Sequence, residues 1–346
     1  MKNAIVVMTA LPPSEGHLAL IDFADKFMRT RFNNYYQLHV LLNTRSFEPL
    51  SSSDRVKALS QHFDTCVEFH VCEDDNVPQN PDEHPDFWKF WTNMIHGQTS
   101  VNQFDYLFAS DTYGVALSKA LGCEFINFDI ARVMHDIRGT NIRHNPLAEF
   151  NHLASFMRQK FQKRVTIFGP ESVGKTTLAT KLFVRAYFEV QRVPEWAREY
   201  LETIGPEITP EKMLNIVYGQ HAMQVCARTN DKVPFIIQDT DLLSTLGYYK
   251  LWDKSWPFIV ERLFLETKSD VYIVMNDSIK FTADPLRYGG NERESKNAFW
   301  INLLQYFKCN YYVVMATNKH EQVYEVEDYL YKLFMKDWKL NKFQRE

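Results

Sequence analysis

One eight-residue motif in the second half of the chain constrains the fold more than any other feature of the sequence. Residues Gly169–Thr176 read Gly-Pro-Glu-Ser-Val-Gly-Lys-Thr and match the pattern GxxxxGK[ST] at every fixed position. An apolar run, Val165–Phe168, precedes the motif, and a stretch with helical pattern, Thr177–Phe188, follows it. A strand, a glycine-bearing turn and a helix in this order predict a P-loop, whose backbone N–H groups wrap around phosphate oxygens.

Each residue type in the motif has a chemical reason. Gly169 and Gly174 let the backbone approach a phosphate group closely. Lys175 can reach the β- and γ-phosphates, and the hydroxyl of Thr176 can ligate Mg²⁺. Thr177 lies at the helix N-terminus, which carries the positive end of the helix dipole. The motif therefore predicts that the chain binds ATP together with Mg²⁺.

Apolar runs with strand character alternate with helical stretches along the chain. This alternation is typical of a parallel sheet with helices on both faces, so we predict an α/β protein. The runs form two series, and each series predicts its own parallel sheet. The predicted strands are Ala4–Ala10, Leu38–Leu42, Val67–Val71, Tyr106–Ala109 and Glu124–Phe128 in the first series, and Arg164–Phe168, Pro234–Gln238, Asp270–Met275 and Tyr311–Met315 in the second.

The length of 346 residues suits two domains better than one core. We place the domains at residues 1–150 and 151–346, because Asn145-Pro146 and a helical stretch, Leu147–Gln162, separate the two series of strands. We also expect a surface loop over Asp74–Pro85 and a closing amphipathic helix over Glu321–Trp338.

Composition narrows the class of partner. The net charge is −4 and no run is rich in Lys and Arg, which argues against nucleic acid. No apolar run approaches the ~20 residues that a membrane span needs. The N-terminus is too short and too strand-like for a signal peptide, and the five cysteines lack CxxC spacing, which argues against a zinc knuckle or a disulfide framework. We expect a cytoplasmic protein with small-molecule partners, and its oligomeric state stays open.

Acidic residues follow two of the predicted strands beyond the P-loop. Glu195 follows Gln191–Pro194, and Asp239 and Asp241 follow Phe235–Ile237. A carboxylate at such a strand end can hold Mg²⁺, as we predict for Asp239, and a second one can take a proton from an acceptor hydroxyl. For any single carboxylate the alternative is a helix N-cap or a solvated turn. Their positions at consecutive strand ends favour phosphoryl transfer.

The segment from Asp284 to Arg293 contains two glycines between two arginines. We interpret it as a lid in which Arg287 and Arg293 cover the transferring phosphoryl group of ATP. A plain solvated loop is the alternative.

Two short segments of the first half resemble the signatures of nucleotidylyltransferases. The turn Pro12–His17 resembles [HT]xGH, with Ser14 at the first position, Gly16 where the backbone approaches the phosphates, and His17 at the helix start. The later segment 138–146 resembles the second signature, [ST]xT-x-IR. There Thr140 is expected to cap a helix and Arg143 to pair with phosphate oxygens of ATP.

With both signatures placed ahead of a P-loop domain, the chain resembles the NadR-type bifunctional proteins, over about residues 4–335. Further stretches carry the resemblance: Phe108–Asp111, Asp129–Arg132, Pro194–Glu199, Gly219–His221, Asp239–Asp241 and Leu286-Arg287. The resemblance implies an N-terminal Rossmann-like nucleotidylyltransferase domain and a C-terminal P-loop kinase domain. It implies that the kinase phosphorylates ribosylnicotinamide with ATP. The first domain would then join the resulting nicotinamide mononucleotide to ATP, giving NAD and pyrophosphate.

The resemblance also implies roles for single residues. Glu195 is the preferred base of the kinase, and Asp241 is either the alternative base or a ligand of a ribose hydroxyl. Trp196 either stacks on the cationic nicotinamide ring or belongs to the core. In the first domain, Arg132 is a further phosphate ligand. Trp88 and Trp91 could flank the nicotinamide, and Trp91 could equally be helix core.

The first signature departs from the family pattern GxFxPxH, because Met8, Ala10 and Ser14 replace the glycine, the phenylalanine and the first histidine. A serine can donate a hydrogen bond to phosphate but cannot carry positive charge. Since the loss of one transition-state donor can cost on the order of 10²–10³ in rate, we expect slow or vestigial adenylyl transfer. Because the first predicted strand begins at residue 4, we expect no DNA-binding repressor segment before it.

Two other functions compete with this one. The first is a deoxynucleoside-type kinase with an inert first domain. The second is a module that senses NAD or ATP without turnover, which the carboxylates after the P-loop disfavour.

Overall fold

The computed structural model describes residues 1–134, 139–182, 190–252, 255–277 and 296–336. Contacts between residues divide the chain into two compact units, one running from Met1 to Arg158 and one beginning at Gln159. The division falls inside the helix Ser155–Phe161, slightly after the predicted domain boundary at residue 150. We call these parts the first and the second unit.

The first unit contains five parallel strands in the described residues, in the order β3-β2-β1-β4-β5. The strands are β1 Lys2–Met8, β2 Tyr36–Thr44, β3 Val67–Glu73, β4 Tyr106–Ala109 and β5 Glu124–Asn127. The helices are α1 Glu15–Phe32, α2 Ser52–Ser60, α3 Phe87–Thr99, α4 Tyr113–Leu121, α5 Gly139–His144 and α6 Ser155–Phe161, with 3₁₀ helices at Pro81–Glu83 and Phe150–His152.

Side chains of β1 alternate between the two faces of the first sheet. Ala4, Val6 and Met8 pack with residues of α1 in one apolar cluster, whereas Ile5 and Val7 join a second cluster with residues of α3 and α4. Both faces are therefore covered, as a parallel sheet requires. The strand order reverses between β1 and β4, and ligands of such sheets bind beside this point at the carboxyl ends of the strands.

The second unit also contains five parallel strands in its described part, in the order β10-β9-β6-β8-β7. The strands are β6 Lys163–Phe168, β7 Val190–Val193, β8 Phe235–Asp239, β9 Val271–Val274 and β10 Tyr311–Val313. The helices are α7 Lys175–Lys181, α8 Trp196–Ile204, α9 Pro210–Arg228, α10 Leu242–Leu251, α11 Phe258–Thr267, α12 Asn297–Tyr306 and α13 Lys319–Tyr331, followed by a π-helical turn at Lys332–Lys336.

The central strand β6 leads directly into the P-loop motif. Its last residue, Phe168, is fully buried and packs edge-to-face against Tyr272 and Trp300, with ring centroids 5.5 and 5.3 Å apart. Edge-to-face pairs of this kind add to the stabilisation from burial alone. The point at which the chain leaves the sheet and enters the motif is thus fixed by the core.

The predicted fold class is confirmed, since each half forms a parallel sheet covered by helices. Each predicted strand overlaps an observed one. The predicted helical stretch Leu147–Gln162 is wrong in its middle, because Leu153 has extended φ and ψ angles and forms a β-bridge with Ser14. Within the described residues, no helix combines the length and apolar character needed to cross a membrane.

Candidate active sites

The backbone of the P-loop folds back on itself between β6 and α7. Gly169, Ser172 and Gly174 have positive φ angles of 130°, 56° and 88°. Left-handed residues allow successive N–H groups to line a concavity that attracts anions. A glycine is favoured at the first and third of these positions, because a side chain there would strain the backbone.

Lys175 is the first residue of α7 and is buried. Its ammonium nitrogen Nζ donates hydrogen bonds to the carbonyl oxygens of Gly169, at 3.1 Å, and Pro170, at 2.7 Å. These two bonds hold the positive charge of Lys175 against the first two residues of the loop. Thr176 and Thr177 follow in the first turn of α7, where Thr176 is exposed to solvent and Thr177 is partly exposed.

Asp239 ends β8 beside the start of the P-loop. In the parallel register it pairs with Ile167 of β6, the strand that leads into the motif. The carboxylate is only 3% exposed, and its oxygen Oδ1 has no hydrogen-bond partner among the described residues. A buried carboxylate oxygen without a partner is costly, and Mg²⁺ prefers carboxylate oxygens. Asp239 thus fits the role of a magnesium ligand.

A cleft of about 790 Å³, counting the solvent at its mouth, opens next to the P-loop. We call it the second cleft. Three groups of predicted function, Lys175, Glu195 and Asp241, lie together on its wall. The full lining consists of Glu171, Lys175, Glu195, Ala197, Leu201, Ile208, Met213, Ile216, Gln220, Thr240, Asp241, Ser244, Thr245, Tyr248 and Trp252.

Asp241 is occupied by structural contacts. As the N-cap of α10 it accepts a hydrogen bond from the backbone N–H of Leu243 at 3.0 Å, and it accepts a second from the Tyr272 hydroxyl at 2.7 Å. Burial of the carboxylate raises its pKa to about 6. Both oxygens of Asp241 are therefore engaged in contacts with α10 and β9.

Glu195 lies in the turn between β7 and α8, and the side chain of Gln220 on α9 fixes this turn. The Gln220 oxygen Oε1 accepts from the backbone N–H of Trp196 at 2.8 Å, and its Nε2 donates to the carbonyl of Pro194 at 3.4 Å. Gln220 therefore binds the residues on both sides of Glu195. From the sequence, Gln220 was noted only as part of the stretch Gly219–His221 that resembles the family. Its role in fixing this turn could not be predicted, because its partners lie more than 20 residues away in the chain.

Trp196 does not belong to the lining of the second cleft. Its ring packs on Gly219, where a Cβ atom would lie 1.9 Å from the indole nitrogen Nε1. Trp196 is partly buried, and its ring contacts α9. Two other rings, those of Tyr248 and Trp252, do line the cleft. Tyr248 lies on α10 and Trp252 at its C-cap, and their ring centroids are 5.9 Å apart. In the sequence these two residues are indicated only by their separation of four, the spacing of one helix face, in the stretch after Asp241. The predicted lid arginines Arg287 and Arg293 lie outside the described residues.

The first unit has its own cleft, of about 1050 Å³ with the solvent at its mouth, at the carboxyl ends of β1 and β4. We call it the first cleft. It lies where the strand order reverses, as the fold predicts. Its lining consists of Val7, Met8, Thr9, His17, Leu20, Asn43, Gln79, Phe87, Trp88, Trp91, Ser110, Asp111, Tyr113 and Leu117.

Ser14 holds the ring of His17 in one orientation. Ser14 is the N-cap of α1, and its backbone N–H donates to His17 Nδ1 at 3.2 Å, while its Oγ lies 2.6 Å from the same nitrogen. Because Nδ1 accepts, the proton of the neutral ring is on Nε2. Withdrawal from water and the nearby Arg143 charge lower the pKa of His17 to about 4, so the ring is neutral at pH 7.

This geometry changes the predicted role of Ser14. We expected its hydroxyl to donate directly to phosphate, but Ser14 is 5% exposed and is not part of the cleft lining. The structure instead places the hydroxyl on His17. Gly16 lies between the two residues in the first turn of α1.

Arg143 and Thr140 lie together on α5. Arg143 donates to the Leu11 carbonyl at 3.3 Å and to the Thr140 hydroxyl at 3.1 Å. Thr140 is not the helix cap that we predicted, because α5 begins one residue earlier, at Gly139. Its hydroxyl therefore orients Arg143. Arg132 is not part of the cleft lining, but its guanidinium lies 4.0 Å from the carboxylate of Asp111, which is.

Trp88 and Trp91 both line the first cleft from α3, together with Phe87. The indole nitrogen of Trp91 donates to the Pro78 carbonyl at 2.9 Å, which fixes the ring. Trp88 meets Phe87 edge-to-face, with centroids 4.9 Å apart. An aromatic wall of this kind can bind a flat ring.

The comparisons with known proteins cover most of the chain. A family model described as an AAA domain matches residues 164–322. A trifunctional NAD biosynthesis/regulator protein NadR from Salmonella typhimurium is 26% identical over 270 residues, which are 75% of this chain and 63% of that protein. The NadR protein of the same name from Escherichia coli is 26% identical over 308 residues, covering 82% of this chain and 71% of the relative. The chain is similar to these NadR proteins over most of its length. It spans less than two thirds of the length of the Salmonella relative.

Solved structures agree on the fold. The crystal structure of a NadR protein in complex with NR has a TM-score of 0.65 and 18% identity, and the match covers 96% of both chains. The structure of a NadR protein in complex with NAD and AMP-PNP also has a TM-score of 0.65, with 19% identity and the same coverage. Since both identities are low, the likeness supports the arrangement of strands and helices and nothing finer.

Proposed function

We propose that the protein is a transferase of NAD salvage with two activities. The second unit phosphorylates ribosylnicotinamide with ATP, and the first unit transfers an adenylyl group from ATP to nicotinamide mononucleotide, which gives NAD and pyrophosphate. The observation that carries this proposal is the pair of clefts, one beside a P-loop with buried carboxylates and one beside a fixed neutral histidine. The NadR relatives, named for NAD biosynthesis, support the same assignment.

In the second unit, the P-loop backbone and Lys175 bind the phosphates of ATP. Asp239 and Thr176 hold Mg²⁺, which neutralises charge on the phosphates when it is bound. Glu195 accepts the proton of the substrate 5′-hydroxyl, because it lines the cleft in the turn after β7, whereas Asp241 serves as the N-cap of α10. Gln220 holds the turn that carries Glu195.

The aromatic contact to the substrate of the kinase comes from α10 and not from Trp196. Tyr248 and Trp252 line the cleft that contains Glu195 and Asp241, whereas Trp196 packs on α9. The nicotinamide ring of ribosylnicotinamide is cationic, and a cation is attracted to the face of an aromatic ring. We therefore assign the ring contact to Tyr248 and Trp252.

In the first unit, His17 Nε2–H donates to the phosphate of ATP at which the adenylyl group is transferred. The donor is neutral, since its pKa is about 4, and it is fixed before substrate binds because Ser14 holds Nδ1. A fixed donor stabilises developing charge without reorganisation during the reaction. Arg143 supplies the positive charge that Ser14 cannot, and the Trp88 and Trp91 rings receive the nicotinamide.

One experiment tests both activities. The purified protein is incubated with ribosylnicotinamide and Mg-ATP, and the products are separated by chromatography. We expect nicotinamide mononucleotide first and then NAD. Mononucleotide alone would limit the proposal to the kinase, and no product over a long incubation would support a sensing module. Thymidine and deoxycytidine serve as control substrates, since phosphorylation of these alone would indicate a deoxynucleoside kinase.

A further inference from the structure

Three polar side chains meet on the first sheet, away from the lining of both clefts. His39 on β2 lies with its Nδ1 atom 3.0 Å from Nε2 of His70 on β3. The Glu68 oxygen Oε2 lies 3.6 Å from His39 Nδ1 and 3.8 Å from His70 Nε2. Two imidazole nitrogens and one carboxylate oxygen thus face one another across adjacent strands.

The register of the strands creates this cluster. His39 pairs with Glu68, and Leu41 pairs with His70, in the parallel ladder between β2 and β3. Residues two apart on a strand point to the same face, so Glu68 and His70 share the face that bears His39. The same face carries the apolar cluster with Leu41 and Cys72. The polar cluster therefore borders a dry part of the core.

The spacing of the three atoms suits a metal ion. A triangle with sides of 3.0, 3.6 and 3.8 Å has its centre about 2 Å from each corner. Bonds from zinc to imidazole nitrogen and carboxylate oxygen have this length, and two histidines with one glutamate are a known ligand set of zinc. The unmoved side chains thus already stand at coordinating distance from a common point.

The hydrogen bond between the rings shows what a metal ion would replace. His70 is hydrogen-bonded to the backbone of Gln98, so its Nε2 atom accepts and His39 Nδ1 carries the shared proton. A metal ion would take the place of this proton, which would move to His39 Nε2, an atom without a hydrogen-bond partner among the described residues. The bond to Gln98 keeps the His70 ring in place, as is usual for histidines that bind metals.

We propose that His39, Glu68 and His70 bind a divalent transition-metal ion of the zinc class. Glu68 is exposed and gives the ion an entry path, whereas His39 is buried. The fourth ligand is water. The ion ties β2 to β3 and takes no part in either reaction, because Asn43, the β2 residue that lines the first cleft, lies four residues farther along the strand, about 13 Å away.

The first test measures binding of zinc to the full chain. The purified protein is treated with chelator, dialysed, incubated with zinc and freed of excess metal, and its zinc content is measured by mass spectrometry. We expect one equivalent of zinc and a rise of thermal unfolding temperature on the order of 5 °C. No retained zinc and no thermal shift would overturn the proposal.

Variants locate the site. Glu68→Gln keeps the shape of an exposed side chain, so the fold is retained, and it should weaken zinc binding at least about 10-fold. His70→Asn should do the same, and the exposed His62, changed to Gln, is the matched control that should bind as the wild type does. Unchanged zinc affinity in Glu68→Gln and His70→Asn would place the metal elsewhere.

The absorption spectrum of the Co²⁺-substituted protein separates this cluster from the nearby cysteines. Ligation by histidine and carboxylate gives visible bands without the intense near-ultraviolet charge-transfer band of a thiolate. A thiolate band would assign the metal to a cysteine, of which the chain has five free ones, and would contradict the proposal. Kinase activity should survive zinc removal when Mg-ATP is supplied.

Discussion

The two clefts lie at equivalent places on two parallel sheets, yet their walls differ. The second cleft carries charge, with Lys175, Glu171, Glu195 and Asp241 on its wall. The first cleft is lined largely by rings, those of Phe87, Trp88, Trp91 and Tyr113, and its polar groups include His17 and Asp111. The fold thus supplies the position of each site, and the side chains decide its chemistry.

The difference follows the two kinds of transfer that we propose. The kinase must gather phosphate charge and remove a proton, so it needs a cation and carboxylates close together. The adenylyltransferase must bind two flat bases and hold a donor at the phosphate, so it needs rings and a fixed neutral group. Each cleft also has a residue that acts through its neighbour, Gln220 in one and Ser14 in the other.

The largest expected effect is on the kinase. Lys175→Ala removes the cation held across the P-loop and should lower the rate of ribosylnicotinamide phosphorylation on the order of 10³-fold. Adenylyl transfer from supplied mononucleotide should not change, which would show that the clefts are independent. The exposed Lys181 at the end of the same helix, changed to Ala, is the control. Full kinase activity in Lys175→Ala would refute the assignment of the P-loop.

The reciprocal change is His17→Ala. It removes the Nε2–H donor from the first cleft and should lower NAD formation about 10²–10³-fold while the kinase rate stays the same. Both rates are measured on one preparation. The step that forms the mononucleotide and the step that consumes it are assayed separately. NAD synthesis at the wild-type rate would mean that His17 is structural.

A smaller effect is expected for Ser14, because it acts through His17. Ser14→Ala frees the ring and should lower kcat for NAD formation about 10-fold, with little change in the KM for ATP. Ser14→Thr keeps the hydroxyl and should restore most of the rate. If KM for ATP rose instead and kcat held, Ser14 would be a direct phosphate ligand, as the sequence suggested.

The matching test in the second cleft is Gln220→Ala. It releases the backbone on both sides of Glu195 and should lower the kinase kcat about 10-fold or less, with the KM for ATP unchanged. Gln305→Ala, an exposed glutamine of the same unit, serves as the control, and the unfolding temperature of both variants is compared. A loss of rate that merely follows a loss of folded protein would argue against a positioning role.

Much of the fold could be read from the sequence because it depends on local patterns. Strands such as Tyr106–Ala109 were predicted with the observed bounds, since buried parallel strands are continuous apolar runs. The P-loop was equally clear, because its residues are consecutive. The break at Leu153 was not, because it depends on pairing with Ser14, far away in the chain.

Local patterns were therefore enough to predict the two parallel sheets, the P-loop and the residues at the strand ends. Which of those residues face a cleft depends on how the elements pack. In the folded chain Trp196 packs against α9, and Tyr248 lines the second cleft. The Ser14 hydroxyl contacts the ring of His17. The packing also sets His39 against Glu68 and His70. The reason is physical: a local pattern fixes the period of an element, whereas the register between elements fixes which side chains meet.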